Sequence, residues 1–318
     1  MFTSAKVEMH PNLKRLSHSA QVLFETCPRL FELDRLESKA DSTSEDKDIH
    51  LAFGQVVGLG VQLSLCGLES EEVLWKMFLS WPRDLFPQDE EEDTKEVNSK
   101  KSFFFAVHAV RSFLPLRATE FPRLLVASFS GMPAIELGFT VDCGEGFSYR
   151  GKLDALLIND GVLSCLEIKT TGGIPNPASY TNSGQGIIYS AVLDAVASTM
   201  GVQQRDSFFI YYPVYSSNRM EWTVFRFKKS RMQITNWIRH VVRTVQHITE
   251  YAEDGYFPQH GQSCYNFFKP CKFLDICDMK NDYIVGRAPA LKQDAEGEYI
   301  FHFSLDDIIQ AQLDKIKE

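Results

Sequence analysis

The sequence contains no apolar run that approaches the roughly 20 residues a membrane-spanning helix needs. Its first stretch, MFTSAKVEMHPNLKRLSHSA, has no apolar segment followed by a small-residue cleavage site, so nothing there marks the chain for export. A soluble, cytoplasmic protein with no membrane contact is expected. Positive charge is also scarce: 33 Lys and Arg against 42 Asp and Glu give a net charge of −9. That argues against a protein that coats nucleic acid by bulk electrostatics. It leaves room for a local basic groove, for which Lys100-Lys101, Arg111, Lys228-Lys229, Arg231, Arg239 and Arg243 are candidates, offset by the acidic run Asp89-Glu90-Glu91-Glu92-Asp93. Closely spaced cysteine pairs are missing too, which disfavours a structural zinc site. The seven cysteines are an odd number, more in keeping with free thiols or metal ligands than with disulfides.

What is present is an ordinary globular composition, 44% hydrophobic and 24% charged over 318 residues, enough for one large domain or a core with added layers. Residues 17–36 read as a helix that Pro28 should distort. Residues 37–49 are polar and loop-like, and helices are expected over 50–68, 70–80 and 98–113, the second opened by Ser70 with Glu71 and Glu72 in its first turn. From Ile135 the pattern turns to alternating, β-branched runs: IELGFTV, YRGKLDALLI and VLSCLEIKT. A helix over 183–199, strands near 207–214 and 221–227, and a long helix over 230–252 complete a mixed-sheet α/β pattern. In the long helix Ile234, Trp237, Ile238, Val241, Val245 and Ile248 recur at helical spacing, a core stripe. The tail carries a short strand, EYIFHF, and a final helix capped by Ser304. Cys66, Cys143 and Cys165 fall in apolar segments and read as small core residues.

The most informative segment is LLINDGVLS. Asp160-Gly161 suits a two-residue hairpin turn, because both central positions of a type I′ turn need positive φ. Counting back from that turn sets Asp154 opposite Glu167 on one face. Two carboxylates that close repel unless a positive charge lies between them, and a divalent cation would satisfy both. Lys169, two residues beyond Glu167, points to the same face. Such a cation can bind a phosphodiester oxygen and lower the pKa of a bound water, while the lysine steadies the charge that develops. Leu153, Ala155, Leu157, Val162, Leu166 and Ile168 supply the apolar opposite face. An ordinary sheet with a cross-strand salt bridge is the bland alternative, since a D-x12-E-x-K spacing alone is weak.

Beyond that hairpin, LSHSAQVLFETCPRLFELDRL, GKLDA, LEIKTT and GQGIIYSAVLDAV together resemble the PD-(D/E)XK nuclease superfamily, and within it the RecB-like exonucleases that include the nuclease of CRISPR adaptation. The resemblance implies a restriction-endonuclease-like core with added N-terminal helices and a C-terminal cysteine-bearing segment. It implies that Asp154, Glu167 and the carbonyl of Ile168 hold Mg2+ or Mn2+, that Lys169 is the catalytic lysine, and that Gln185 and Tyr189 assist at the substrate. Glu136 matches an acidic residue that can help the metal through a water. One feature departs from the pattern: Gly58 stands where the group has a metal-binding His, so that either Gln62, one turn later, reaches the site or a second metal is weak or absent. FGQVVGLGVQ and YTNSGQGIIYSAVLD resemble virus-encoded members, which would place the protein in a host cytoplasm.

The same resemblance assigns Cys27, Cys264, Cys271 and Cys277 to a [4Fe–4S] cluster that clamps the C-terminal segment to the N-terminal helix. The six-residue gap between Cys264 and Cys271 departs from the group's spacing, and plain thiols or zinc remain the alternatives. The expected organisation is a helical region over 1–130, a nuclease core over 131–228, a long helix and cysteine segment over 229–285, and a tail over 286–318, as one compact unit. The expected activity is metal-dependent hydrolysis of DNA, from single-stranded or frayed duplex ends. The alternatives are a non-catalytic nucleic-acid-binding or assembly protein on the same scaffold, and an RNA or structure-specific endonuclease.

Overall fold

The computed structural model describes residues 9–36, 49–86, 100–120, 125–159, 162–200, 202, 210–266, 269–279 and 298–317. Most of the polar stretch after residue 36, the acidic run from Asp89 to Asp93, the Asp160-Gly161 turn, residues 207–209 and the start of the tail lie outside the described residues.

Along the chain, strand β1 (Arg15–Leu16) leads into helices α1 (His18–Thr26) and α2 (Pro28–Leu36). The helix expected over 17–36 is broken at Cys27, whose backbone is extended, and Pro28 starts the second piece, where its missing N–H costs nothing. Helices α3 (Ile49–Leu65), α4 (Ser70–Ser80) and α5 (Phe103–Glu120) follow. Ser70 is the first residue inside α4 and the cap is Glu69, which makes no side-chain cap bond. Helix α5 starts later than the sequence suggests and runs through Pro115, an exposed position where the backbone group left without a partner can be hydrated. Then come β2 (Leu125–Val126), β3 (Ile135–Asp142), β4 (Ser148–Asn159), β5 (Val162–Leu166) and β6 (Lys169–Thr171). The remaining elements are the short α6 (Ala178–Thr181), α7 (Gly184–Thr199), β7 (Ile210–Ser216), β8 (Glu221–Phe227), α8 (Arg231–Asp254), β9 (Phe301–Ser304) and α9 (Leu305–Lys317). No helix among the described residues is long and apolar enough to cross a membrane.

The chain divides into two compact units, each assembled from separated segments. One comprises residues 1–44, 138–151 and 235–309. In it β9 pairs parallel with β3, and β1 pairs parallel with the start of β4. Tyr149 is fully buried, donates from its hydroxyl to Gln21 and meets the Trp237 ring edge-on at 5.4 Å. The stripe read from the sequence of α8 is core here: Trp237, Val241, Val245 and Ile248 are all buried. Ser304 Oγ accepts from the Asp307 N–H (3.1 Å) while the Asp307 carboxylate accepts from the Ser304 N–H (2.7 Å), a reciprocal cap at the start of α9.

The other unit comprises residues 45–137, 152–234 and 310–318. Its strands run β8-β7-β5-β4, antiparallel between β8 and β7 and between β5 and β4, and parallel between β7 and β5; β6 continues the parallel pairing on β7. Mixed pairing of this kind, with helices on both faces, is the α/β class read from the sequence. Ala155, Leu157, Leu166, Ile168 and Tyr215 pack with Phe53, Val57 and Val61 of α3 and with Ala106, Val110 and Phe113 of α5 in one core. Side chains alternate along strands, so Leu156 and Cys165 turn to the opposite face, and α7, whose residues 188–197 are buried, packs against β5 there. Burying each large apolar side chain stabilises such a layer by about 1.5–3 kcal/mol, which makes the strands that carry the polar residues below a rigid base.

Candidate active site

The hairpin β4–β5 has the register expected from its turn: Asn159 pairs with Val162, Leu157 with Ser164 and Ala155 with Leu166. The ladder stops one pair before Asp154 and Glu167. There the Glu167 N–H donates to the Tyr211 carbonyl of β7 (2.8 Å), and the Ile168 N–H donates to the Asp154 carboxylate (2.9 Å). A side chain therefore takes the place of the next rung, and the chain parts from β4 while staying on β7, where Leu166 pairs with Tyr211 and Lys169 with Val214. The run VLSCLEIKT is two strands with Glu167 and Ile168 between them, and the parting from β4 opens space beside Asp154.

Glu167 is buried, and its Oε1 lies 2.6 Å from Lys169 Nζ. Its Oε2 is buried with no hydrogen-bond partner. Lys169 donates also to Gln185 Oε1 (2.8 Å), the Gln185 amide donates to the Tyr189 hydroxyl (2.8 Å), and that hydroxyl donates to the Lys152 carbonyl (2.6 Å). Gln185 and Tyr189 lie one turn apart on α7, so one helix face orients the lysine. Glu136 has φ of 52°, a left-handed conformation rare for glutamate inside a strand. Its Oε1 accepts from Gln62 Nε2 (2.5 Å), and the same amide reaches the Asp154 carbonyl (3.4 Å).

These groups open on a cavity of about 580 Å3 lined by His50, Gly54, Gly58 and Gln62 of α3 and by Glu136, Asp154, Glu167, Ile168 and Lys169. The four α3 residues are spaced four apart and form one stripe. Gln62 bonds the acidic groups directly, whereas Gly58 lines open space, with no atom within 4 Å of where a Cβ would sit. His50 and Gly54 were not singled out from the sequence, although their spacing was visible there. Lys229 leaves the set of candidate groove cations: it is buried and donates to the Tyr180 and Thr181 carbonyls (2.8 and 2.6 Å).

Burial, then the charge of Glu167, pushes Asp154 well above the usual carboxylate range. Burial raises Glu167 as well, more than Lys169 lowers it. Burial pulls Lys169 down, but the charge and hydrogen bond of Glu167 outweigh it, so the ammonium is held firmly protonated. Two crowded, desolvated carboxylates and an orphaned buried oxygen form a site short of positive charge. Among the described residues no three His, Cys, Asp or Glu side chains are gathered into a ready metal cage. A hard cation such as Mg2+ does not need one, since it is commonly held by one or two carboxylates with waters completing the shell. Asp154 and Glu167 fit it on that basis, with Glu167 Oε2 the unsatisfied donor.

Cys27, Cys264, Cys271 and Cys277 lie in the other unit. Cys27, at the break between α1 and α2, is buried; its sulfur accepts from the His260 N–H (3.4 Å) and faces the Pro258 carbonyl. Arg29, ion-paired with buried Glu32, donates to the Cys277 and Met279 carbonyls (3.0 and 2.8 Å). The Cys271 N–H donates to the Cys264 carbonyl (2.8 Å), and burial pushes the Cys277 thiol up. The C-terminal segment thus returns to the CPR motif, through Arg29 and main-chain groups. The Cys27 sulfur accepts from the His260 N–H and the Cys277 sulfur from the Gln259 amide, and among the described residues no three His, Cys, Asp or Glu groups are placed to hold a metal, so this geometry gives a [4Fe–4S] cluster no support. Cys143 and Cys165 are buried as expected; Cys66 is half-buried.

Comparison with known proteins gives one family: the PD-(D/E)XK nuclease superfamily, matched over residues 15–278. No curated protein matches the sequence significantly. Among solved structures, a Eubacterium rectale protein provisionally named an exonuclease is similar with a TM-score of 0.48 and 13% identity, over 93% of this chain and 96% of that one. LHK-Exo, crystallised in complex with dAMP, is similar with a TM-score of 0.24 and 11% identity, over 64% of this chain and 94% of that one. Neither likeness is close enough to bear on activity.

Proposed function

We propose, from the premise that the chain belongs to the PD-(D/E)XK nuclease superfamily, that it hydrolyses DNA phosphodiester bonds with Mg2+ or Mn2+, acting as an exonuclease on single-stranded or frayed ends. The observation that carries this reading is the buried, partnerless Oε2 of Glu167 beside Asp154, with Lys169 on the other carboxylate oxygen. Asp154, Glu167 and the Ile168 carbonyl would hold the cation, with Glu136 joining through a water. Bound there, the cation supplies Lewis-acid polarisation of a phosphoryl oxygen and a more acidic water.

The protein's own groups do the rest. Lys169, kept charged by Glu167, offers an ammonium to the phosphate or to the attacking water. Gln185 and Tyr189 hold that lysine in register through hydrogen bonds anchored on the Lys152 carbonyl. The strained Glu136 backbone, braced by Gln62, keeps a third carboxylate at the cavity wall. Cytoplasmic location and action on DNA ends are part of the same proposal.

End-labelled single- and double-stranded DNA and RNA, each incubated with Mg2+, Mn2+ or chelator, test it. Stepwise shortening of single-stranded DNA with either cation, and none with chelator, is expected. Internal cuts, or a preference for RNA, would move the reading to an endonuclease or ribonuclease; binding without cleavage would move it to a non-catalytic scaffold.

A further inference from the structure

The segment between β6 and α7 carries an aromatic side chain that the reading above does not use. Tyr180, in α6, stacks on Phe225 of β8 with ring centroids 5.6 Å apart and planes 30° apart, and leans on Tyr212 at 5.1 Å. Tyr212 is fully buried, whereas Tyr180 and Phe225 are half-buried. The neighbours Ala178, Ser179 and Thr181 are exposed, and Ile174 is 69% exposed. Tyr180 is thus a ring backed by an aromatic wall on a segment otherwise open to solvent.

Its backbone is fixed. Buried Lys229 donates to the carbonyls of Tyr180 and Thr181, and the Gln233 amide donates to Thr181 and to the Asn182 side chain (2.9 Å). The aromatic wall behind the ring, through Tyr212, is set against the start of α7. A Cβ on Gly186 would collide with the Tyr212 hydroxyl and lie 3.1 Å from Lys229 Cε, so glycine is what lets the start of α7 sit on this aromatic wall. Gly186 directly follows Gln185, the residue that holds Lys169.

We infer that Tyr180, backed by Phe225, is a stacking platform for one nucleobase of a single strand whose neighbouring phosphodiester lies at Lys169. The inference rests on the nuclease reading and extends it to how the substrate is gripped. Stacking on an aromatic ring tolerates any base, because every base has a π-face, but it requires an unpaired base that can leave its helix. A platform already immobilised by Lys229 and Gln233 loses little entropy when the base arrives. Tyr180 is then a substrate-positioning residue that sets a preference for single strands over paired duplex.

The test uses the full chain and a set of end-labelled single-stranded oligonucleotides in which one abasic site is moved nucleotide by nucleotide past the cleaved bond. Tyr180→Ala should raise KM about tenfold with kcat within about threefold, while Tyr180→Phe and Tyr180→Trp keep the parental KM. At one abasic position the parent should lose the same factor, and Tyr180→Ala should lose nothing further there. A folded Tyr180→Ala, judged by an unchanged melting temperature, with the parental KM overturns the inference. So does a Tyr180→Ala penalty that stays the same at every abasic position, which would mark a merely structural ring. A parent that cleaves no nucleic acid overturns the nuclease reading itself, an outcome distinct from either.

Discussion

Lys169 Nζ lies 2.6 Å from Oε1 of Glu167, two residues back along the chain, and leaves Oε2 of the same carboxylate buried and unpartnered. The two residues flank the point where the chain parts from β4 while staying on β7. That parting leaves their side chains beside Asp154, since the rung that would have paired Glu167 with Asp154 is replaced by a bond from Ile168 to the Asp154 carboxylate.

Lys169→Ala removes the positive partner of a buried carboxylate. Cleavage should fall by about 10²–10³-fold, the usual loss when one stabilising donor is deleted. Stability should fall by about 1–3 kcal/mol, and Lys169→Met combined with Glu167→Gln should recover most of that loss without recovering activity. Tyr189→Phe, which cuts the bonds to Gln185 and to the Lys152 carbonyl, should slow turnover less than Lys169→Ala. Single-turnover rates and denaturant unfolding of the four proteins check this; a Tyr189→Phe as slow as Lys169→Ala would contradict the positioning role.

Gln62 braces Glu136 and touches the Asp154 carbonyl. Gln62→Leu should let the strained Glu136 relax and raise the Mg2+ concentration for half-maximal cleavage about tenfold, roughly 1.4 kcal/mol of lost binding, with maximal rate changed little. Calorimetric titration of the cation into both proteins gives the same shift without reference to activity. Equal affinities would reduce Gln62 to a cavity-lining residue.

Lys229 is buried with a pKa lowered to about 8, because burial disfavours its charge. Its ordinary value is 10.5, so between about 8 and 10.5 the unfolded chain binds more protons than the folded one, and stability rises with pH across that window. Below pH 8 both states are charged and the cost of burying the ammonium is felt in full. The stability of Lys229→Met relative to the parent should therefore be most favourable below pH 8 and decline by on the order of 1–3 kcal/mol towards pH 10.5. Unfolding curves at pH 7, 8.5 and 10 decide it; parallel pH dependence in the two proteins would mean that the ammonium is not desolvated.

The Asp160-Gly161 dipeptide, though outside the described residues, made the β4–β5 register legible, and with it the approach of Asp154 to Glu167. The Q-x-x-x-Y spacing put Gln185 and Tyr189 on one helix face for the same local reason. What stayed illegible depended on tertiary packing. The ladder ends where a side chain outcompetes a rung, and no local signal announces that. Glu136 adopts a positive φ that its residue type disfavours, held by Gln62 from a distant helix. Lys229 reads as a surface charge in KKSRM, and only the folded chain shows it buried against the Tyr180 and Thr181 carbonyls. In α3, His50, Gly54, Gly58 and Gln62 share a four-residue spacing, but two glycines carry no side chain to flag a functional stripe.

The central claim, that Asp154 and Glu167 hold a divalent cation that the chemistry requires, is tested most directly by cleavage of end-labelled single-stranded DNA across a Mg2+ titration in the parent, Asp154→Asn and Glu167→Gln. The expected result is saturable, chelator-sensitive cleavage by the parent and a loss of at least about 10³-fold in each variant, in line with removal of a metal-organised site. Parental rates in both folded variants, or undiminished parental cleavage in chelator, would contradict it.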